Sequence, residues 1–137
     1  LQEHLNYVCI SCVLRLEKGN RDEIEKIMND RHITRRETQP LNYPSAGSVF
    51  RNPPSMYAGK IIEDMGLKGY TVGKAMVSDK HANFIINTGN AKASDIKKII
   101  DTIKAKALNK YGLKLRVEQR LINWVGVSEI DESEKED

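Results

Sequence analysis

The chain has 137 residues, 39% of them hydrophobic and 30% charged, about one domain's length with apolar content enough for a modest core. No apolar run approaches the roughly 18 residues that span a bilayer, and no signal peptide precedes the first strand-like segment, so a soluble, cytoplasmic protein with no membrane contact is expected. The net charge is +3, yet six of the last ten residues are acidic against Lys135 alone. Outside that tail 21 of the 22 basic and 13 of the 19 acidic residues remain, a body near +8. Such a surface attracts nucleic acid, an anionic membrane or a phosphorylated small molecule, or is a solvated basic face.

In chain order, residues 7–16 (YVCISCVLRL) come first. They alternate apolar and polar, placing Val8, Ile10, Cys12, Leu14 and Leu16 on one face of a half-buried strand that Gly19 ends. Cys9 and Cys12 then point to opposite faces, which supports buried free thiols rather than a disulfide or a zinc pair. Asn20 with Glu23 resembles a capping box, and Ile24, Ile27 and Met28 make a short apolar stripe, so a helix is expected to about Arg35 with a basic far end. Residues 42–54 (NYPSAGSVFRNPP) read as irregular backbone.

A second helix is expected from about Ser55 to Met65, with Ala58, Ile61, Ile62 and Met65 on one face and Gly66 as its stop. Residues 70–77 and 84–87 read as strands, and NTGN after the second as a turn. Ser94 can cap a long third helix striped by Ile96, Ile99, Ile100, Ile103 and Ala107, with Gly112 at its C-terminal cap. Residues 113–122 alternate, with Leu113, Leu115, Val117 and Leu121 inward; the acidic end after Gly126 is too charged to pack. Helices and strands without a regular βαβ alternation predict an α+β fold, a small mixed domain of about three helices on a short sheet.

Several catalytic templates are missing. There is no GxxxxGK[ST], no GxGxxG and no HExxH, and Phe50 breaks GxSxG around Ser48, which argues against a nucleoside triphosphatase or a serine hydrolase. What remains is Ser48 between small and bulky neighbours, followed by Arg51 and Asn52. A serine hydroxyl donates a proton only where a cation or ordered water stabilises the alkoxide left behind, and Arg51 is placed for that. A turn serine bonding local backbone explains it as well. Glu118 shares a strand face with Arg116 and Arg120, which keeps it ionised in a site or in a surface ion pair. His81 can bond a ligand or serve structure, and Arg35 and Arg36 can pair a diphosphate or merely charge a helix end.

Taken together, QPLNYPSAGSVFRNPP, AGKIIEDMGLKGYTVGKAMVSDKHANFIINTGNA and the E-x-R at 118–120 closely resemble the C-terminal, substrate-binding domain of the UDP-N-acetylenolpyruvoylglucosamine reductases. The resemblance runs over residues 39–122 in the family's order and spacing. It implies the C-terminal domain of a flavoenzyme, in which FAD takes hydride from NADPH and reduces UDP-N-acetylglucosamine enolpyruvate to UDP-N-acetylmuramate for peptidoglycan. It implies Ser48 as proton donor to the carbon beside the carboxylate, and Glu118 as its assistant at the developing enolate or its protonation. Asn52 matches a substrate-contacting asparagine, and Arg51, Arg36 and His81 fall where the family carries substrate contacts.

The last strand departs from the family's L-E-P-E-V-R-I-I-G: LRVEQRLIN lacks the proline and the closing glycine. Residues 1–18 are expected to be the terminal strand of a truncated FAD-binding domain, 19–126 the substrate-binding domain and 127–137 an acidic disordered tail. A fragment lacking the FAD region is expected to hold no complete cofactor site and to be inactive alone. Two other readings stay open, a stand-alone basic module for RNA or a phosphorylated ligand and a structural domain with its flavin partner on a separate chain. Against RNA stand few aromatics and no GXXG loop, so no nucleic-acid partner is expected.

Overall fold

The structure is a computed structural model that describes residues 8–121; the expectations for Tyr7, Ile122 and the acidic end lie outside them. Two compact units divide the chain, Leu1–Ile33 and Thr34–Asp137. In the first, the alternating segment does not form the expected strand. Residues 8–20 carry no regular secondary structure, and Val8, Ile10, Val13, Leu14 and Leu16 are exposed. Period-two sequence makes a strand only where a neighbour pairs its backbone and covers its face, and no described strand lies beside this one. Cys9 and Cys12 are accordingly exposed free thiols, not buried ones.

Helix α1 (Arg21–Thr38) starts where Asn20 predicts. The Asn20 Oδ1 accepts from the amides of Asp22 at 2.9 Å and Glu23 at 3.2 Å, filling two of the donors that a helix start leaves open. Asp22 and Glu23 in its first turn and Arg35 and Arg36 in its last match the helix dipole. None of its residues is buried.

Strand β1 (Ser45–Ser48), helix α2 (Ala58–Asp64), strands β2 (Thr71–Val72), β3 (Ala75–Val77) and β4 (Phe84–Asn87), and helix α3 (Ala93–Tyr111) follow. The sheet is antiparallel throughout in the order β1-β4-β3-β2, an α+β arrangement as the sequence predicts. Residues 70–77 are not one strand but a hairpin, because Gly73 at φ +57 lets two residues reverse the chain. Helix α2 begins at Ala58 and not near Ser55, since Pro53, Pro54 and Ser55 at φ +61 hold a turn.

The third helix buries Ile99, Ile100, Ile103 and Ala107 of the stripe read from its spacing, with Ile96 partly buried at its start. Its N-terminal cap is Lys92 rather than Ser94: the Asp95 carboxylate accepts from the Lys92 amide at 3.1 Å, and Gly112 at φ +64 closes the other end. Val49, Phe50, Ala58, Ile61, Ile62, Leu67, Ala75, Val77, Ala82, Ile85 and Leu115 complete the core. Burying a side chain such as isoleucine contributes about 1.5–3 kcal/mol, so this cluster is what holds the second unit together.

The last expected strand reduces to a single bridge, Phe50 with Val117. Leu115 is buried as its alternation predicts, but only the short stretch after β1 lies alongside to pair with, through Arg51 N–H to the Arg116 carbonyl at 2.9 Å and Glu118 N–H to the Val49 carbonyl at 2.8 Å.

Candidate functional site

Ser48 owes its position to an irregularity. Ser45 pairs with Ile86 and Ser48 with Phe84, so β1 spends one residue more than β4 over the same span. That is a β-bulge, with Gly47 at φ +82 supplying the left-handed residue, and bulges re-aim the side chain that follows. The turn-serine role falls to Ser45, whose Oγ accepts from the Gly47 amide at 3.5 Å. Ser48 is exposed.

Beyond Ser48 the chain is stitched on both sides. On one, residues 116–118 contribute the two backbone bonds just described, bringing Glu118 next to the serine's segment. On the other, Asn83 is 4% exposed, and its Oδ1 accepts from Phe50 N–H at 2.9 Å while its Nδ2 donates to the Phe50 carbonyl at 2.8 Å. The Asn83 carbonyl accepts from Val49 N–H at 2.9 Å. Asn83 N–H donates to His81 Nδ1 at 3.2 Å, which leaves the outer nitrogen of that ring as its donor. His81 also packs edge-on against Phe84 at 4.9 Å between centroids.

Buried Ser78 shapes the same turn. Its Oγ accepts from the amides of Lys80 at 3.1 Å and His81 at 3.3 Å, so the two side chains are presented together. A cleft of about 310 Å³ results, lined by Ser48, Asn52 and His81 with Tyr57 and Gly59 on α2's side. Three ammonium groups, of Lys60, Lys68 and Lys80, and the Glu63 carboxylate line it as well. Lys68 pairs with Glu63 at 2.9 Å and Lys60 with Asp64 at 2.7 Å. The Asp64 hydrogen bond and charge hold the exposed Lys60 above the ordinary lysine pKa of 10.5, so it is cationic at neutral pH. Lys80 Nζ donates to the Arg36 carbonyl in the last turn of α1, and no carboxylate pairs it among the described residues.

Of the six residues to which the family resemblance assigns a role, three share this cleft. Asn52 has its Oδ1 committed to Ala58 N–H at 3.0 Å, where it serves as the side-chain acceptor at the start of α2. Its amide group remains as donor. Arg51, half buried, and Glu118, exposed, are positioned by their backbones against residues 116 and 49 and do not line the cleft; nor does Arg36, exposed on α1, which meets it only through its carbonyl. Residue-by-residue reading passed over Lys60, Lys68, Lys80, Tyr57 and Asn83. The lysines are scattered among helix and loop residues with no shared spacing, and Asn83 could be found only in the HANF run beside the recognised His81.

A second, mostly apolar cleft of about 250 Å³ lies along β1, lined by residues including Ser45, Ile85, Ile96 and Gln119. Among the described residues no group of three or more His, Cys, Asp or Glu could hold a metal ion, and no helix is long and apolar enough to cross a membrane.

A four-stranded antiparallel sheet backed by helices, with a hydroxyl, an amide, an imidazole and three ammonium groups round one cleft, defines an α+β domain suited to a small anionic ligand. Residues 39–122 match the model of a family described as the C-terminal domain of UDP-N-acetylenolpyruvoylglucosamine reductase. The chain belongs to that family. It is 48% identical over 122 residues to the reductase of that name from Anoxybacillus flavithermus, covering 89% of this chain and 40% of the relative. The figures are the same for the Caldanaerobacter subterraneus reductase. The crystal structure of the reductase from Thermus caldophilus matches with a TM-score of 0.66 at 36% identity, over 76% of this chain and 36% of that one. The chain thus spans about two fifths of the length of its curated relatives.

Proposed function

We propose that this chain is the substrate-binding part of a flavoenzyme that reduces UDP-N-acetylglucosamine enolpyruvate to UDP-N-acetylmuramate with NADPH, in cytoplasmic synthesis of peptidoglycan precursor. The observation that carries the proposal is the cleft itself, where Ser48, Asn52 and His81 stand together beside three lysines. A uridine diphosphate sugar with an added carboxylate is such an anion, and ammonium groups bind phosphate and carboxylate through charge-assisted hydrogen bonds.

Only Tyr57 and His81 among the cleft residues carry rings, too few to enclose FAD, and the flavin is expected on the region the family carries beyond the matched span. What this chain supplies is the proton. Reduction of the enolpyruvyl double bond puts hydride on the terminal carbon and a proton on the carbon beside the carboxylate. The Ser48 O–H bond breaks to give that proton, and the alkoxide recovers one from solvent. Glu118, tied by its amide to Val49 but outside the cleft lining, takes the family glutamate's part in protonation of the enolate, not in stabilising its negative charge. Groups placed in advance where charge appears only in the transition state supply much of the acceleration, and losing one slows turnover about a hundred- to a thousandfold.

In the full-length reductase, Ser48→Ala is expected to leave reduction of the flavin by NADPH unchanged while slowing its reoxidation by the enolpyruvyl substrate by that factor. Equal slowing of both half-reactions would sink the proton-donor role.

A further inference from the structure

The antiparallel ladder between β1 and β4 reaches Ser48 and Phe84 and then loses its partner, because the chain on the β4 side turns back through residues 78–83. The backbone N–H and C=O of Phe50, 1% exposed, would be left without the next peptide group of a strand. Asn83 fills that place. A carboxamide carries the same donor and acceptor as a peptide unit, and the Asn83 side chain meets both polar groups of Phe50, at 2.9 and 2.8 Å.

We infer that Asn83 is a positioning residue that acts as a surrogate peptide group, holding Ser48, His81 and Glu118 in one register. The inference rests on the role proposed above for Ser48. Four bonds converge on this residue: two from its side chain to Phe50, one from Val49 N–H to its carbonyl, and one from its own N–H to His81 Nδ1. Val49 and Phe50 meet the 116–118 segment through the Val49 carbonyl and the Phe50–Val117 bridge. The serine, the imidazole and the glutamate therefore share one buried amide as their common reference. Asn83 borders the cleft, but both ends of its carboxamide are committed to Phe50. It acts through the backbone, and a shift of an ångström in a reacting group can cost about a hundredfold in rate.

The test compares Asn83→Ala and Asn83→Asp with the full-length wild-type reductase, reading amide hydrogen exchange at Phe50 and Glu118 and the rates of the two half-reactions. Asn83→Ala is expected to speed exchange at both amides and to slow the enolpyruvyl half-reaction about ten- to a hundredfold, with the NADPH half-reaction unchanged. Asn83→Asp keeps the acceptor for Phe50 N–H but, when ionised, sets a carboxylate against the Phe50 carbonyl. Protonated, it offers an O–H there instead, so its rate should recover as the pH falls while the wild type shows no such limb. A purely structural loss would lower both half-reactions together and overturn the inference, as would wild-type protection at Phe50. If the alanine variant does not fold, absence of acid recovery in Asn83→Asp overturns it by itself. Full-speed substrate reduction by Ser48→Ala, run in parallel, would instead strike the Ser48 assignment beneath it.

Discussion

At φ +82 Gly47 occupies the left-handed region, and nothing lies within 4 Å of where a Cβ would stand. The demand there is on backbone angle alone, not on space. Gly47→Ala is therefore expected to destabilise the chain by about 1–2 kcal/mol through strain without any clash, measured by urea unfolding; unchanged stability would mean that the bulge relaxes. Gly59 answers a different demand. A Cβ there would lie 3.3 Å from His81 Cε1, so the small residue at the start of α2 lets the imidazole close the cleft. Tyr57, the N-cap of α2, and Lys60 also line the cleft, while Ala58 between them is buried, which makes that turn of α2 a wall of the site as well as a face of the core.

Helices α1 and α3 have similar lengths and similar apolar stripes in sequence, and they end in opposite environments. Ile99 and Ile103 on α3 are 0% and 1% exposed, whereas Ile24, Ile27 and Met28 on α1 are 47%, 50% and 54% exposed. Ile103→Ala should cost about 2–5 kcal/mol by opening a cavity, while Ile27→Ala should change stability by no more than about 0.5 kcal/mol. Denaturant unfolding of the two variants separates these cases, and a large loss in Ile27→Ala would show that α1 packs against more than it does here. Periodicity reports a capacity to be buried; a partner surface realises it. The same distinction explains why residues 8–16 alternate like a strand yet stay irregular, and why 113–121 bury Leu115 without building a ladder.

For the molecule as a whole the relevant charge is local. The cleft gathers three lysines with one glutamate, and of these Lys80 is bonded to a backbone carbonyl rather than a carboxylate. Binding of uridine diphosphate to the 137-residue chain, followed by titration calorimetry, should weaken as ionic strength rises from about 0.05 to about 0.5 M, because screening shortens the reach of those charges. Lys80→Ala should weaken it about tenfold or more, the usual weight of a hydrogen bond to a charged group; an unchanged affinity would place the diphosphate elsewhere. Local rules legible in the sequence by itself determined the Asn20 cap, the α3 stripe and its Gly112 stop, and longer patterns gave the α+β class and the family. Legible only in the folded chain are Asn83 in the place of a missing strand partner, the convergence of Lys60, Lys68 and Lys80 on one cleft, and the tie of Glu118 to Val49 beside Ser48. Those are contacts between residues distant in the chain, set by how the sheet and its turns pack, and no period or spacing along the chain encodes them.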